Sequence, residues 1–185
     1  MPHPRLLDRS KTAMAVIDVQ EAFRSSIPDF AEIADNISIA VRGCQILSIP
    51  VLVTEQYPKG LGRTAEEIRL ALPDDREPIE KTAFSSCGAG TFVEELRKLG
   101  AKQIVLCGIE THVCVNQTAH ELLSEGFEVH LLTDCVASRF EYDKAAGLAK
   151  MKSSGVVPSS IEMMLFELMR DAKHEKFKEI QQLIR

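Results

Sequence analysis

The feature that most limits how this chain can fold is a series of short, almost unbroken apolar runs. The runs are AMAVIDV (13–19), PVLVTE (50–55), QIVLCGI (103–109), FEVHLLTD (127–134) and the shorter GVVP (155–158). A strand covered on one face alternates apolar and polar residues, whereas a strand covered on both faces does not. The runs therefore predict strands of a sheet that has helices on both faces.

The segments between these runs carry apolar residues at helical spacing. Helices are predicted within 30–48, 89–101, 112–126, 141–155 and 159–172, several of them ending at a glycine. Strands that alternate with helices favour right-handed crossovers between parallel neighbours. We therefore expect an α/β fold in which a three-layer, doubly wound, Rossmann-like and mostly parallel sheet is flanked by helices. We expect residues 1–185 to form a single domain.

Charge and cysteine content exclude several classes of function. The 22 basic and 27 acidic residues leave no basic excess, so we expect no nucleic-acid partner. No apolar span is long enough for a membrane helix, and MPHPRLLDRSKT lacks the apolar region of a secretory signal, so we expect a cytoplasmic protein without a membrane partner. The five cysteines are odd in number and form no C-x-x-C pair, which predicts free thiols.

Three polar residues stand where predicted strands end. They are Asp18 after the first run, Lys81 in PIEKTAFSS, and Cys114 in the segment after QIVLCGI. In open parallel sheets, ligands bind at the carboxyl ends of the strands. Taken singly, Asp18 could cap a turn, Lys81 could be a solvated charge, and Cys114 could be core filler, but their shared position favours a catalytic group.

The chemistry of Cys114 follows from its expected place in the first turn of a helix capped by Thr111. Unpaired N–H groups and the positive end of the helix dipole favour a thiolate, and a nearby lysine would lower the thiol pKa further. A carboxylate beside it could accept the thiol proton and return it to a leaving group. We therefore expect the sulfur of Cys114 to be largely anionic at neutral pH.

Most of the chain, from about residue 10 to residue 170, resembles the isochorismatase-like cysteine hydrolase family. The segments that carry the resemblance are AVIDVQEAF (15–23), VTEQYPKGLG (53–62), EKTAFSS (80–86), GIETHVCVNQTA (108–119) and LLTDCVAS (131–138). The resemblance implies the isochorismatase-like hydrolase fold and a catalytic triad of Asp18, Lys81 and Cys114. It also implies a cis peptide bond between Ile109 and Glu110, an oxyanion hole made by the N–H groups of Glu110 and Cys114, and a homo-oligomer.

Two departures from the family narrow the expected reaction. The metal site of nicotinamidases uses an aspartate and two histidines, but TEQYPKGLGRTAEEIRLALPDD (54–75) contains no histidine, so we expect no metal and no cofactor. The family resemblance also implies that true isochorismatases have an acidic residue at the position that Cys114 occupies in this chain. A thiol suits acyl transfer from an amide, ester or similar carbonyl, so we expect a metal-independent hydrolase of a small molecule that acts through a thioester.

The surroundings of the nucleophile and several rival functions stay open at this stage. Residues beside the motif positions could shape a small pocket: Gln20, Phe23, Tyr57, Phe84 and Val113. Cys87 could line it as well, although loop packing explains that residue more simply. The rivals are a scaffold that keeps the fold without catalysis, a ribonuclease-like member, and a redox thiol for which Cys87 is the candidate resolving cysteine.

Overall fold

The structure is a computed structural model that describes residue 3, residues 5–73 and residues 77–185. Its strands are β1 (Thr12–Ile17), β2 (Val51–Gln56), β3 (Ile79–Lys81), β4 (Gln103–Ile109), β5 (Glu128–Ala137) and β6 (Val157–Ser159). Its α-helices are α1 (Phe30–Ile46), α2 (Pro58–Leu61), α3 (Glu66–Arg69), α4 (Phe92–Lys98), α5 (Asn116–Ser124), α6 (Glu141–Ser153), α7 (Ile161–Met169) and α8 (Phe177–Leu183). Short 3₁₀ turns cover Glu21–Phe23 and Ser86–Gly88, and one π-helical turn covers Thr111–Val115.

The strands form one sheet in the order β3-β2-β1-β4-β5-β6, and every neighbouring pair is parallel. From β1 the chain winds outward through β2 to β3, and it then returns to the middle and winds the other way from β4 to β6. The predicted doubly wound α/β fold is confirmed. That residues 1–185 form a single domain stays a prediction.

Two apolar layers explain why the strand sequences do not alternate. Along β1, Met14 and Val16 face the layer that contains α1, α7 and α8, while Ala13, Ala15 and Ile17 face the layer that contains α4, α5 and α6. Both faces of the sheet are therefore dry, and apolar residues are needed at successive positions.

The sequence prediction missed or misplaced several elements. Strand β3 was not recognised as an apolar run because it has only three residues, IEK, of which one is apolar. Strand β5 continues to Ala137, three residues beyond the predicted run, and α8 was not predicted. The side chain of Ser160 caps the start of α7, since it accepts a hydrogen bond from the N–H of Met163. Among the described residues, none of the helices has the length and apolar character needed to cross a membrane.

Gly108 allows the two central strands to pack closely where β4 ends. Its φ angle is +122°, and a Cβ atom built there would lie 2.1 Å from the carbonyl oxygen of Ile17, its partner in the register of β1 and β4. No residue with a side chain fits without moving the backbone that carries Asp18. A glycine is therefore required next to the segment that leads to Cys114.

We predict that Gly108→Ala destabilises the protein by about 3 kcal/mol or more, because a backbone clash adds to an unfavourable φ angle. Gly126→Ala is the matched control, since Gly126 also has a positive φ of +86° but has open space where the Cβ would lie. It should cost about 1 kcal/mol, the conformational term alone. Urea unfolding of both variants measures the difference, and equal losses would contradict the close approach of the strands.

Candidate active site

The three residues expected to act together follow three different strands at the same edge of the sheet. Asp18 follows β1, Lys81 ends β3, and β4 leads through Glu110 to Cys114. Strands β1 and β4 are neighbours at the point where the winding reverses, which is where open α/β sheets form a crevice for ligands. The topology therefore brings Asp18 and Cys114 to this crevice from adjacent strands.

Asp18 and Lys81 form a buried ion pair. The Nζ of Lys81 lies 2.6 Å from Oδ2 of Asp18, and the two side chains are 0% and 1% exposed. The ammonium also donates to Oε1 of Gln56 at 2.7 Å and to the carbonyl oxygens of Ala83 at 3.0 Å and Phe84 at 2.9 Å. A dry interior tolerates such a pair because every strong polar group has a partner.

A lysine is needed because its partner is two strands away. Neighbouring strands lie about 4.8 Å apart, so an ammonium carried by β3 must pass the end of β2 to meet a carboxylate that follows β1. Gln56 is opposite Lys81 in the register of β2 and β3, and its side-chain oxygen accepts from Nζ on the way. Gln56 is a site residue that the sequence analysis missed.

A second chain of hydrogen bonds holds the other oxygen of Asp18. The Thr54 hydroxyl donates to Oδ1 of Asp18 at 2.7 Å and lies 3.2 Å from Oγ of Ser86, whose backbone N–H donates to Oγ1 of Thr118 on α5 at 2.9 Å. All of these side chains are buried. The carboxylate is therefore fixed in orientation by β2, by β3 and, through Ser86, by α5. The motifs VTEQ and FSS contain two of these residues, but spacing alone assigned them no role.

Cys114 lies in the five-residue π-helical turn rather than in the first turn of an ordinary α-helix. The N–H groups of Val113 and Val115 both donate to the carbonyl oxygen of Glu110, at 3.1 and 3.2 Å, and α5 starts at Asn116. We had expected Thr111 to cap this helix, and that expectation is wrong. Its hydroxyl donates instead to the carbonyl oxygen of Ala137 at 3.0 Å. Thr111 instead ties the turn to the end of β5.

The expectation that Cys114 rests as a thiolate is wrong. Its pKa is raised to about 12, with burial as the largest cause and the charge on Asp18 as the next, while Lys81 acts in the opposite direction. Asp18 raises the pKa of Cys114 both by its charge and by a side-chain interaction with the thiol, and the charge on Glu110 raises it further. At neutral pH the resting group is therefore a neutral thiol.

The segment before Cys114 has the expected backbone geometry. The peptide bond between Ile109 and Glu110 is cis, as the resemblance implied. The side chain of Glu110 is 8% exposed, and its Oε1 accepts hydrogen bonds from both the backbone N–H and Nε of Arg139, each at 3.0 Å. Arg139 is a further residue of this edge that the sequence analysis did not single out.

The proposed pocket residues divide into two groups. Gln20 is fully buried: its amide nitrogen donates to the carbonyl oxygens of Gln56 at 3.0 Å and Gly62 at 2.7 Å, and its oxygen accepts from the N–H of Gln56 at 2.7 Å. Its assignment to the pocket rested only on its closeness in sequence to Asp18. The structure shows that its side chain instead holds the loop after β2. Phe23 is partly buried and packs against the core that contains α1.

The remaining pocket residues are better placed for contact with a small molecule. The side chains of Tyr57 and Phe84 are 55% and 57% exposed. Both belong to the segments that hold Lys81, since the N–H of Tyr57 donates to the carbonyl oxygen of Lys81 and the carbonyl oxygen of Phe84 accepts from its Nζ. Val113 is partly buried beside Cys114. The pocket roles of these three residues stay predictions.

The other cysteines differ from Cys114 in their neighbours. All five are free thiols, as predicted. Burial raises the pKa of Cys44 to about 12 and the pKa of Cys107 and Cys135 well above the ordinary value, and these three residues pack in the layer with α1. Burial also raises the pKa of Cys87, to about 11. Only for Cys114, among these thiols, do Asp18 and Lys81 shape the pKa.

Two further observations limit where a ligand is placed. Within the described ranges, no group of three or more histidine, cysteine, aspartate or glutamate side chains is arranged to hold a metal ion. A separate cavity of about 670 Å³ is lined by Glu55, Lys59, Arg63 and Arg69 among others, but by none of the triad residues. That cavity contains carboxylates such as Glu55, but no cysteine is among the described residues that line it.

Comparison with known proteins identifies relatives over nearly the whole length of the chain. The model of the isochorismatase domain matches residues 12–163. Isochorismatase domain-containing protein 2 of Danio rerio is 38% identical over 179 residues, which is 96% of this chain and 89% of the relative. Isochorismatase domain-containing protein 1 of Salmo salar is 40% identical over 94% of this chain, which spans only 61% of that longer relative.

A solved structure with the same fold is the MAR1 ribonuclease from Caenorhabditis elegans. It superposes with a TM-score of 0.91 at 38% identity, and the match covers 97% of this chain and 92% of that one. The arrangement of strands and helices described above is therefore one that other proteins of similar sequence also adopt.

We predict that the Asp18–Lys81 pair is strongly coupled in stability. Asp18→Ala and Lys81→Met should each lower the free energy of unfolding by about 3–5 kcal/mol, because each leaves a buried charge without its partner. The double variant should lose clearly less than the sum of the two. Urea unfolding of the four proteins completes the cycle, and additivity within about 0.5 kcal/mol would contradict the pairing.

We also predict an unusual pH dependence for the alkylation of Cys114 by iodoacetamide. The rate constant should still be rising above pH 9, because the pKa is raised to about 12. In Asp18→Asn the profile should move to lower pH, since the charge that raises the pKa is lost while Lys81 remains. Mass spectrometry of the Cys114 peptide measures the rates.

Thr54→Val is the matched control for this profile. It removes one hydrogen bond to Asp18 but leaves the carboxylate charge, so its alkylation profile should stay close to that of the wild type. A wild-type rate that reaches its plateau below pH 8 would mean that the thiol is ionised at rest, contrary to the burial and the charges found here.

Proposed function

This chain belongs to the isochorismatase-like hydrolase family, and on that basis we propose that it is a metal-independent cysteine hydrolase of a small carbonyl compound. An amide or a related compound with a C–N bond is the preferred substrate. The observation that carries the proposal is the buried thiol of Cys114 at the same edge of the sheet as Asp18, whose carboxylate is itself held by Lys81. A nucleophile, a base and a group that orients the base are the parts that acyl transfer requires.

In the first half of the proposed reaction, Asp18 acts as the general base. As the sulfur of Cys114 attacks the carbonyl carbon, the thiol proton moves to Asp18, a C–S bond forms and the carbonyl electrons move to oxygen. We assign the stabilisation of that oxyanion to the backbone N–H groups of Glu110 and Cys114. Collapse of the intermediate breaks the C–N bond, and the amine leaves with the proton held by Asp18.

In the second half, water hydrolyses the thioester. Asp18 takes a proton from the water molecule as the water oxygen attacks the acyl carbon. The C–S bond then breaks, and the proton passes from Asp18 to the sulfur. Lys81 orients Asp18 and offsets the negative charge that develops beside it. A neutral resting thiol suits this cycle, because the sulfur becomes anionic only when Asp18 receives its proton.

A second candidate function follows from the relative named as a ribonuclease. The 38% sequence identity to the MAR1 ribonuclease supports a ribonuclease function more than the composition of the chain does. The formal charge of −5 favours a small molecule instead, since an RNA-binding surface needs clustered cations to neutralise phosphates. Binding of RNA that is tight and falls steeply with added salt would favour the ribonuclease.

The remaining properties are proposals of the same kind. We place the protein in the cytoplasm because its five cysteines are unpaired, as expected in a reducing compartment. The absence of a metal requirement rests on the missing histidines of the loop after β2. A homo-oligomer is expected from the family resemblance.

We predict that a screen of small amides, esters and carbamoyl compounds finds turnover that Cys114→Ala abolishes. Intact-mass spectrometry should detect an acyl adduct on the wild-type enzyme, which maps to the Cys114 peptide. Asp18→Asn should lower the turnover number by about 10²–10⁴-fold, the usual effect of losing a general base.

Cys87→Ala is the matched control, because it removes another partly accessible thiol that has no contact with Asp18 or Lys81 among its described interactions. It should retain the wild-type turnover and the adduct. Turnover that survives in Cys114→Ala but disappears in Cys87→Ala would exclude our assignment of the nucleophile.

A further inference from the structure

We infer that the substrate carries no negative charge next to its scissile bond, and that Glu110 is the residue that sets this preference. The inference rests on the proposed function and adds a substrate class to it. It follows from how Lys81 and Arg139, the cations paired with Asp18 and Glu110, are each matched by a carboxylate of the protein itself.

Lys81 has no capacity left for a substrate anion. Its three ammonium protons face four acceptors, which are the Asp18 carboxylate, the Gln56 side chain and the carbonyl oxygens of Ala83 and Phe84. The side chain is 0% exposed. A carboxylate that approached Cys114 could not reach the ammonium without displacing one of these partners.

Arg139 is the other cation, and Glu110 holds it. One oxygen of Glu110 accepts from both the backbone N–H and Nε of Arg139 at 3.0 Å. Glu110 is 8% exposed while Arg139 is 50% exposed, so the carboxylate is the inner member of the pair. The other guanidinium N–H groups can donate to a neutral oxygen, but the positive charge that would attract an anion is already balanced.

The charges that act on Cys114 also favour a substrate without negative charge. Asp18 and Glu110 both raise its pKa, whereas Lys81 is the one group that lowers it among the causes found. The sulfur therefore lies in surroundings that oppose the arrival of further negative charge. A neutral amide meets no such penalty, because it can use hydrogen-bond donors without needing a free cation.

Charged and uncharged alkylating agents test this directly, without a known substrate. Iodoacetamide and iodoacetate have nearly the same size and differ by one negative charge. The rate constants at Cys114 are measured by mass spectrometry in a Cys87→Ala background. Their ratio, iodoacetate over iodoacetamide, is divided by the same ratio for 2-mercaptoethanol, which removes the intrinsic difference between the reagents.

We expect the normalised ratio for the parent protein to be about one third or less. Glu110→Gln should raise it by about tenfold, because Arg139 is then released from its carboxylate. Arg139→Gln should lower it, because Glu110 is then unpaired, and the double variant should return close to the parent value. A merely structural role of Glu110 and Arg139 would not shift the normalised ratio in opposite directions in the two single variants.

A normalised ratio above one in the parent protein would overturn the inference, and so would a Glu110→Gln ratio that does not rise. The first result would mean that anions are accepted at Cys114 despite Glu110, and the second would mean that Glu110 does not set the preference. The parent measurement needs no substitution at Glu110 or Arg139, so a folding defect in either of those variants leaves the test intact. Failure of the proposed hydrolase is seen separately, as absence of Cys114-dependent turnover, since alkylation does not require hydrolysis.

Discussion

The contact between Lys81 and Asp18 is the interaction on which the rest of the site depends. Two charges 2.6 Å apart in a dry interior are tolerable only as a pair. The lysine is carried by the edge strand β3 and the aspartate follows the central strand β1, so the pair also fixes the spacing of three strands. Thr54, Gln56 and Ser86 add hydrogen bonds around the pair, and these bonds hold the carboxylate in one orientation.

The sequence predicted the architecture well because burial leaves a direct trace in composition. A parallel sheet covered on both faces needs apolar residues at successive positions, and runs such as QIVLCGI and AMAVIDV satisfy that need. The same rule failed for β3, since a three-residue edge strand with two charged side chains leaves no such trace. Lys81 was nevertheless placed at a strand end, and the structure puts it at the last residue of β3.

The site was predicted in its members but not in its electrostatics. Position in the chain indicated that Asp18, Lys81 and Cys114 lie at one edge, and it suggested a thiolate from the helix start and the lysine. It could not weigh those effects against burial and two carboxylates, which together raise the pKa of Cys114 to about 12. Gln20 shows the same limit, because a motif neighbour can point toward a pocket or, as here, into the backbone of a loop.

The order of the strands has a consequence for any partly folded form of the chain. Asp18 follows β1, Lys81 ends β3, and Cys114 follows β4, so the proposed reacting groups come from both halves of the sheet. A chain in which only β1 to β3 had assembled would hold a carboxylate and an ammonium without a sulfur, and one with only β4 to β6 would hold a thiol without a base. The proposed hydrolysis therefore needs both halves of the sheet, because the sulfur and its base meet only when the two halves have joined.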